Sequence, residues 1–300
     1  MATDVNEIEF ASKENRVLHL LKMFGAWCRK RTIGAVGLFM VLVVLGAALL
    51  NPVIKRYDPN ETNVPDRLQS PNAAHFFGTD DFGRDLWARI IGGAVISAQV
   101  GFISVAIGSV IGLIFGVMSG FFGGGIDNLI QRITEIMLSI PGILLALALM
   151  ATDVGSGGID TVVIALSIIF IPRTVRVMRG SVLSCKENVY IDAARAIGCK
   201  PSRIMWRHIT PNVMAPYLVL ASSLLGTAIL TEASLSFLGL GVPPPHPSWG
   251  RLLSGSVMLY AISAPWMVIV PGVAITWLVL GFNVFGDALR DTFDPKLRGR

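Results

Sequence analysis

A chain of 300 residues with 53% hydrophobic and 15% charged side chains, and a mean hydropathy of +0.63, falls well below the ~25% charge of soluble domains and reads as a polytopic membrane protein. Cys28, Cys185 and Cys199 are too few and too scattered for a disulfide framework or a zinc site, and are read as free thiols. The net charge of +5 does not call for nucleic acid, because its placement along the chain follows a membrane topology.

Residues 1–31 are polar, mixed in charge and end in Arg29-Lys30-Arg31. Leu18, Leu21, Lys22 and Trp27 suit a short interfacial helix. Residues 32–54 carry no charge. The first 19 of them would extend ~28 Å as a helix, close to the thickness of the hydrocarbon core. A signal peptide has a shorter apolar region, ~7–15 residues, so a first, uncleaved transmembrane helix is placed at 32–51.

Residues 52–89 form a polar segment with Pro52, Pro59, Pro65 and Pro71, too irregular to lie in lipid. Near its end Thr79 or Asp80 is expected to cap a helix with Phe82, Leu86 and Ile90 on one face and Trp87 beside them, resting at the membrane interface. The pair Asp80-Asp81 also has the composition of a metal or acid–base site, but capping is the simpler use.

Residues 90–126 are uncharged, enough for a tilted span and part of a turn. Gly108, Gly112, Gly116 and Gly120 recur every four residues, which on a helix makes a groove for close packing of a neighbour and, functionally, a sliding surface. Residues 121–128 read as a Gly-rich turn. A third uncharged run, 136–152, is interrupted by Pro141-Gly142, and 153–160 is a Gly/Ser turn. The fourth run, 161–172, has only 12 residues before Arg173; short, broken spans point to a transport path, with a merely short helix as the plain alternative. Arg173, Arg176 and Arg179 then lead out of the membrane into a basic loop, 173–209.

Within that loop Asp192-Ala193-Ala194 suits the first turn of a helix, with an acid near the positive end of the dipole. Gly198 breaks it, and Lys200-Pro201-Ser202 starts a second helix with Pro201 near its first turn. Ile204, Met205, Ile209 and, less regularly, Trp206 give this helix an apolar side, and Arg203 and Arg207 share a polar one. The expected form is a helix–Gly–helix elbow on the membrane surface. A fifth run, 208–231, has Pro216 near its start. Residues 232–263 hold Gly239, Gly241, Pro243-Pro244-Pro245, Pro247 and Trp249-Gly250, a density that excludes a helix and suggests a rigid loop folded back on the membrane face. The sixth run, 264–286, has Pro271-Gly272 near its middle, and 288–300 is a polar tail.

Six spans put both termini on one side. Nineteen Lys and Arg lie on that side and six on the other, so the termini and the elbow are expected in the cytoplasm. Catalytic signatures are missing. His19, His75, His208 and His246 fall in separate segments, and there is no HExxH pair, no Gly-x-Ser-x-Gly elbow and no phosphate loop. An ion-coupled secondary transporter should carry acids or histidines midway through its spans, and the uncharged runs lack them. Glu232 is the nearest acid, expected at an outer helix end where it snorkels to water.

Asp192-Ala193-Ala194, Gly198 four positions later and Pro211 thirteen beyond that resemble the "EAA" loop of ABC-importer permeases, with Asp192 for the usual Glu and Thr210 before Pro211. The strings FGTDDFGRDLWARIIGGA, EASLSFLGLG and GDALRDTFDPKLR are similar to segments of the dipeptide/oligopeptide/nickel class of these permeases, so the resemblance runs from about Ile33 onward. It implies an all-α, type I importer permease fold with six transmembrane helices, the last five in a core at 90–287, in a bacterial cytoplasmic (inner) membrane. It also implies a coupling loop that docks on a separate ATPase. The implied partners are a second homologous permease, two ABC ATPase subunits and an extracytoplasmic solute-binding protein. No cofactor or metal is assigned to this chain; ATP and Mg belong to the ATPase subunits. Peptides are the expected substrate, with nickel, opines or oligosaccharides as alternatives, and no substrate-binding residue is indicated.

Overall fold

The computed structural model describes residue 25 and residues 28–152, 158–255 and 257–293. The interfacial helix expected around Leu18 to Trp27 lies outside them, as does most of the tail. The described residues fold into the helices α1 (Thr32–Leu49), α2 (Leu86–Phe122), α3 (Gly124–Ser139), α4 (Gly142–Ala151), α5 (Ile159–Lys186), α6 (Val189–Ala196), α7 (Met214–Phe237), α8 (Trp249–Leu252) and α9 (Trp266–Phe293), with further short helical segments between them, among them Asn51–Ile54 and Val257–Tyr260. No strand occurs among these residues, only an isolated bridge between Thr79 and Asp85.

Helix α2 starts four residues before the expected run, because Asp85 caps it: its Oδ2 accepts the Ala88 N–H at 2.8 Å. Neither Thr79 nor Asp80 is the cap. Asp80 holds the preceding turn together, accepting the N–H groups of Phe82 and Arg84 on Oδ1 and the Arg84 Nε on Oδ2 at 2.6 Å. Phe82 is therefore not on the helix, and α2 is a single rod of 37 residues, about 55 Å long and longer than a bilayer core is thick. The Gly-rich stretch at 121–128 shrinks to a hinge at Gly123 and Gly124, which have φ of 67° and 55°. The chain is helical again from Gly124.

The four-residue glycine row of α2 lies against α5. A Cβ at Gly108 would meet Phe170, at Gly112 Thr174, at Gly116 Met178 and at Gly120 Val182, at separations of 2.5–3.0 Å. The partners climb in step with the glycines, so α2 and α5 run parallel. Lys186 at the end of α5 donates to the carbonyl of Phe121 at the end of α2, at 2.8 Å. Two parallel helices require a return crossing, which only α3 and α4 supply. These meet at an 87° bend, where Ile140 is forced into an extended conformation by Pro141. Counting the bent pair as one span gives six.

The expected short fourth run is corrected: α5 continues through Pro172 to Lys186, 28 residues in all. Arg173, Arg176 and Arg179 are carried on the helix itself rather than after it. Arg179 forms a two-pronged pair with Asp127 of α3 at 2.6 and 2.7 Å, and Ser119 of α2 donates to the same carboxylate. Helices α1 and α9 pack antiparallel, with Trp277 Nε1 donating to the Met40 carbonyl and Arg31 paired to Asp291 at 3.2 Å. Both ends of the described chain thus lie on the elbow side. The last helix runs to Phe293, into the stretch read as a polar tail.

The segment 232–263 differs most from expectation. Helix α7 continues to Phe237, and the loop then enters the protein instead of lying on the membrane face. Trp249 is buried, with Nε1 donating to the Ile90 carbonyl at 2.9 Å, and Gly250 is pressed against the backbone of Ala233, leaving no room for a Cβ. Glu232 does not snorkel. It is fully buried, accepting from Ser236 Oγ at 2.7 Å and Ser97 Oγ at 3.4 Å, while Ser248 donates to Ser236. This polar knot joins α2, α7 and the loop, which satisfies a carboxyl that would otherwise be costly to bury.

Candidate functional site: the elbow between α5 and α7

Helix α6 ends in a complete Schellman arrangement. The N–H of Cys199 reaches the Ala194 carbonyl at 3.1 Å and that of Gly198 reaches Arg195 at 2.9 Å, while Gly198 takes φ 76°, open only cheaply to glycine. The second arm starts with Pro201 and runs through Pro201–Arg203, a π-helical Ile204–Ile209 and Thr210–Asn212. Pro211 has no N–H to give, and the turn before it widens to π geometry, with the Thr210 N–H bonded to Met205.

One face of this elbow is sealed into the bundle. Ile191, Ala194, Ile204, Met205 and Ile209 share a buried cluster with Val117 and Phe121 of α2, Met178 and Val182 of α5, and Tyr217 of α7. The two alanines of the motif part company: Ala194 is buried in this cluster and Ala193 faces outward beside Asp192. Asp192 pairs with Arg195 at 3.0 Å, and both are exposed, so the pair contributes little to stability. Pro211 is exposed on the second arm, as are Arg203 and Arg207. At the junction with α5, loss of water around the ring and the neighbouring Cys185 thiol at 3.1 Å push the Tyr190 phenol up to about 12, leaving it neutral.

The outward face carries what sequence reading missed. Val189 is 83% exposed and Ile197 81%, and with the exposed Ala193 between them they form a row at i, i+4 and i+8. Their i, i+4, i+8 spacing is the signal the sequence carries for this row. Large apolar side chains held in the open, outside the spans, mark a surface for a partner. The opposite face of the elbow is embedded against the ends of α2, α5 and α7. The row consists of aliphatic side chains, with the exposed Asp192–Arg195 pair beside it. The glycine row Gly108–Gly112–Gly116–Gly120 belongs to the same apparatus only through α2 and α5, which it holds in register.

Comparison with known proteins agrees on the kind of molecule. Residues 112–299 match the family described as "Binding-protein-dependent transport system inner membrane component". The chain is 44% identical over 270 residues to the dipeptide transport system permease protein DppC of Alkalihalophilus pseudofirmus, covering 90% of this chain and 88% of that one. It is 38% identical over 297 residues to the oligopeptide transport system permease protein OppC of Bacillus subtilis, covering 99% and 96%. Among solved structures, an inward-facing form of the MetNI methionine ABC transporter shares the fold, with a TM-score of 0.58 and 22% identity over 69% of this chain and 97% of the other. The multi-pass helical bundle, its elbow and these likenesses converge: the chain belongs to the family of inner membrane components of binding-protein-dependent transport systems.

Proposed function

We propose that this chain is a permease subunit of an ATP-driven importer for peptides, working in a bacterial inner membrane with its termini and elbow in the cytoplasm. A second permease completes the translocation path, two ATPase subunits drive it, and a solute-binding protein delivers the peptide. The observation that carries this reading is the exposed row Val189–Ala193–Ile197 on an elbow whose other face is sealed against α2, α5 and α7. Such a lever passes the motion of an ATPase into the spans without reacting with anything itself. The positive-inside bias of nineteen to six supports the orientation, and relatives bearing dipeptide and oligopeptide names support the substrate.

Val189→Asp and Ile197→Asp, each at an open surface position, are expected to leave the chain folded and inserted. They should release the ATPase subunits on purification and abolish uptake of a labelled dipeptide in the native cell. Retained ATPases with normal uptake in both variants would refute the docking role. Deleting the chain and finding dipeptide uptake intact while nickel or oligosaccharide uptake fails would reassign the substrate.

A further inference from the structure

On the side of the bundle away from the elbow, a cavity of about 420 Å³ opens between the turn that precedes α2 and the loop that follows α7. Arg84, Arg89 and Arg251 line it, together with Asp80, Asp81 and His246. Only six Lys and Arg lie on that side of the chain, so half of them converge on one cavity. Asp80 is already spent on Arg84 and on two backbone N–H groups. Arg89 is 5% exposed; it gives one nitrogen to the Pro59 carbonyl at 3.0 Å, and its Nε is enclosed without a hydrogen-bond partner, 3.6 Å from Asp80 Oδ2. Arg251 gives one nitrogen to the Val242 carbonyl at 3.0 Å. A guanidinium has five N–H donors, so both arginines hold donors in reserve. Three guanidiniums stand against two carboxylates in the lining, leaving one positive charge to be matched.

We propose that this cavity binds the C-terminal carboxylate of a peptide at the far mouth of the bundle. The inference rests on the peptide reading above and adds a holding site within this chain. A carboxylate is planar and takes paired N–H donors from arginine. The volume lies in the range of small-ligand pockets, ~300–1,000 Å³, and excludes a folded partner. Apolar walls at Phe82, Leu252 and Met267 leave room for side chains of varied identity, so the recognition falls on the terminus that every peptide shares.

The test is binding of labelled alanylalanine and of alanylalanine amide to the assembled transporter purified without its solute-binding protein. The free acid should bind saturably and the amide roughly 10-fold or more weakly. Arg251→Gln should weaken the acid roughly 10- to 100-fold, the loss expected for one charge-assisted partner, with an unchanged elution profile. Arg89→Gln disturbs a buried turn as well, so the partly exposed Arg251 decides the matter. Equal binding of acid and amide, or no change in Arg251→Gln, overturns the proposal. So does a transporter that imports the dipeptide with its binding protein but never binds it alone, an outcome that leaves the peptide reading intact. If Arg251→Gln weakened only capture of the solute-binding protein, the cavity would be a protein contact and the proposal would fall.

Discussion

The contact between α2 and α5 sets the most exacting test. A Cβ added at Gly112 would sit 2.5 Å from Thr174 Cβ and 2.8 Å from the Ile171 carbonyl; at Gly116 it would sit 2.7 Å from Met178 Cβ and 2.9 Å from the Val175 carbonyl. Carbon pairs are at rest near ~3.5–4.0 Å, so each alanine asks the helices to part by about 1 Å. The obstacles are backbone and Cβ atoms, which cannot rotate aside. Overpacking of this kind costs ~1–3 kcal/mol, against which alanine recovers up to ~1 kcal/mol of helix propensity. A net loss of up to about 2 kcal/mol per site follows, or up to ~8 °C in the unfolding temperature for a chain of this order of size. Gly180 on α5 supplies the control, because nothing lies within 4 Å of its Cβ position; Gly180→Ala should be neutral or stabilising. Thermal unfolding of the purified protein in mild detergent, with uptake measured in parallel, separates the cases. Gly112→Ala and Gly116→Ala melting together with Gly180→Ala would refute the packing argument. The leucine versions should fail outright where Val110→Leu, at an exposed position on the same helix, is tolerated.

In a chain with its three native cysteines replaced, Asn60→Cys and Pro244→Cys should react with an impermeant thiol reagent from outside the cell and Arg195→Cys should not; external labelling of Arg195→Cys would reverse the orientation. At Gly198 no neighbouring atom opposes a side chain and only the positive φ does, so Gly198→Asn should cost under ~1 kcal/mol while Gly198→Arg, bulky on the exposed elbow, should also abolish ATPase coupling; equal uptake in the two variants would show that no partner approaches here. Glu232→Ala strips the acceptor from Ser236 and should destabilise the fold by about 2–3 kcal/mol, with Glu232→Gln losing less because an oxygen remains; an unfolding temperature unchanged in Glu232→Ala would discount the buried knot.

Much of this protein was legible in the order of its residues. Uncharged runs mark spans because lipid offers charges no solvent, and the glycine row marks close packing because only a missing side chain allows backbones to approach. Gly198 and Pro201 mark the elbow because a left-handed turn and an absent N–H are local properties. What sequence left undecided depends on which partners the fold brings to each side chain. Asp85 and not Asp80 caps α2 because Asp80 is drawn to Arg84, a choice between two nearby acids that spacing does not make. Arg179 stays on α5 and finds its partner in Asp127 of α3, 52 residues away in the chain, a pairing that spacing does not show. Glu232 is buried because serines from another helix and a later loop surround it, and Ala193 and Ala194 take opposite fates because the bundle lies on one side of α6 only. Local rules decide where a helix begins to be possible; the side that faces protein, lipid or partner is decided by what the rest of the chain brings against it.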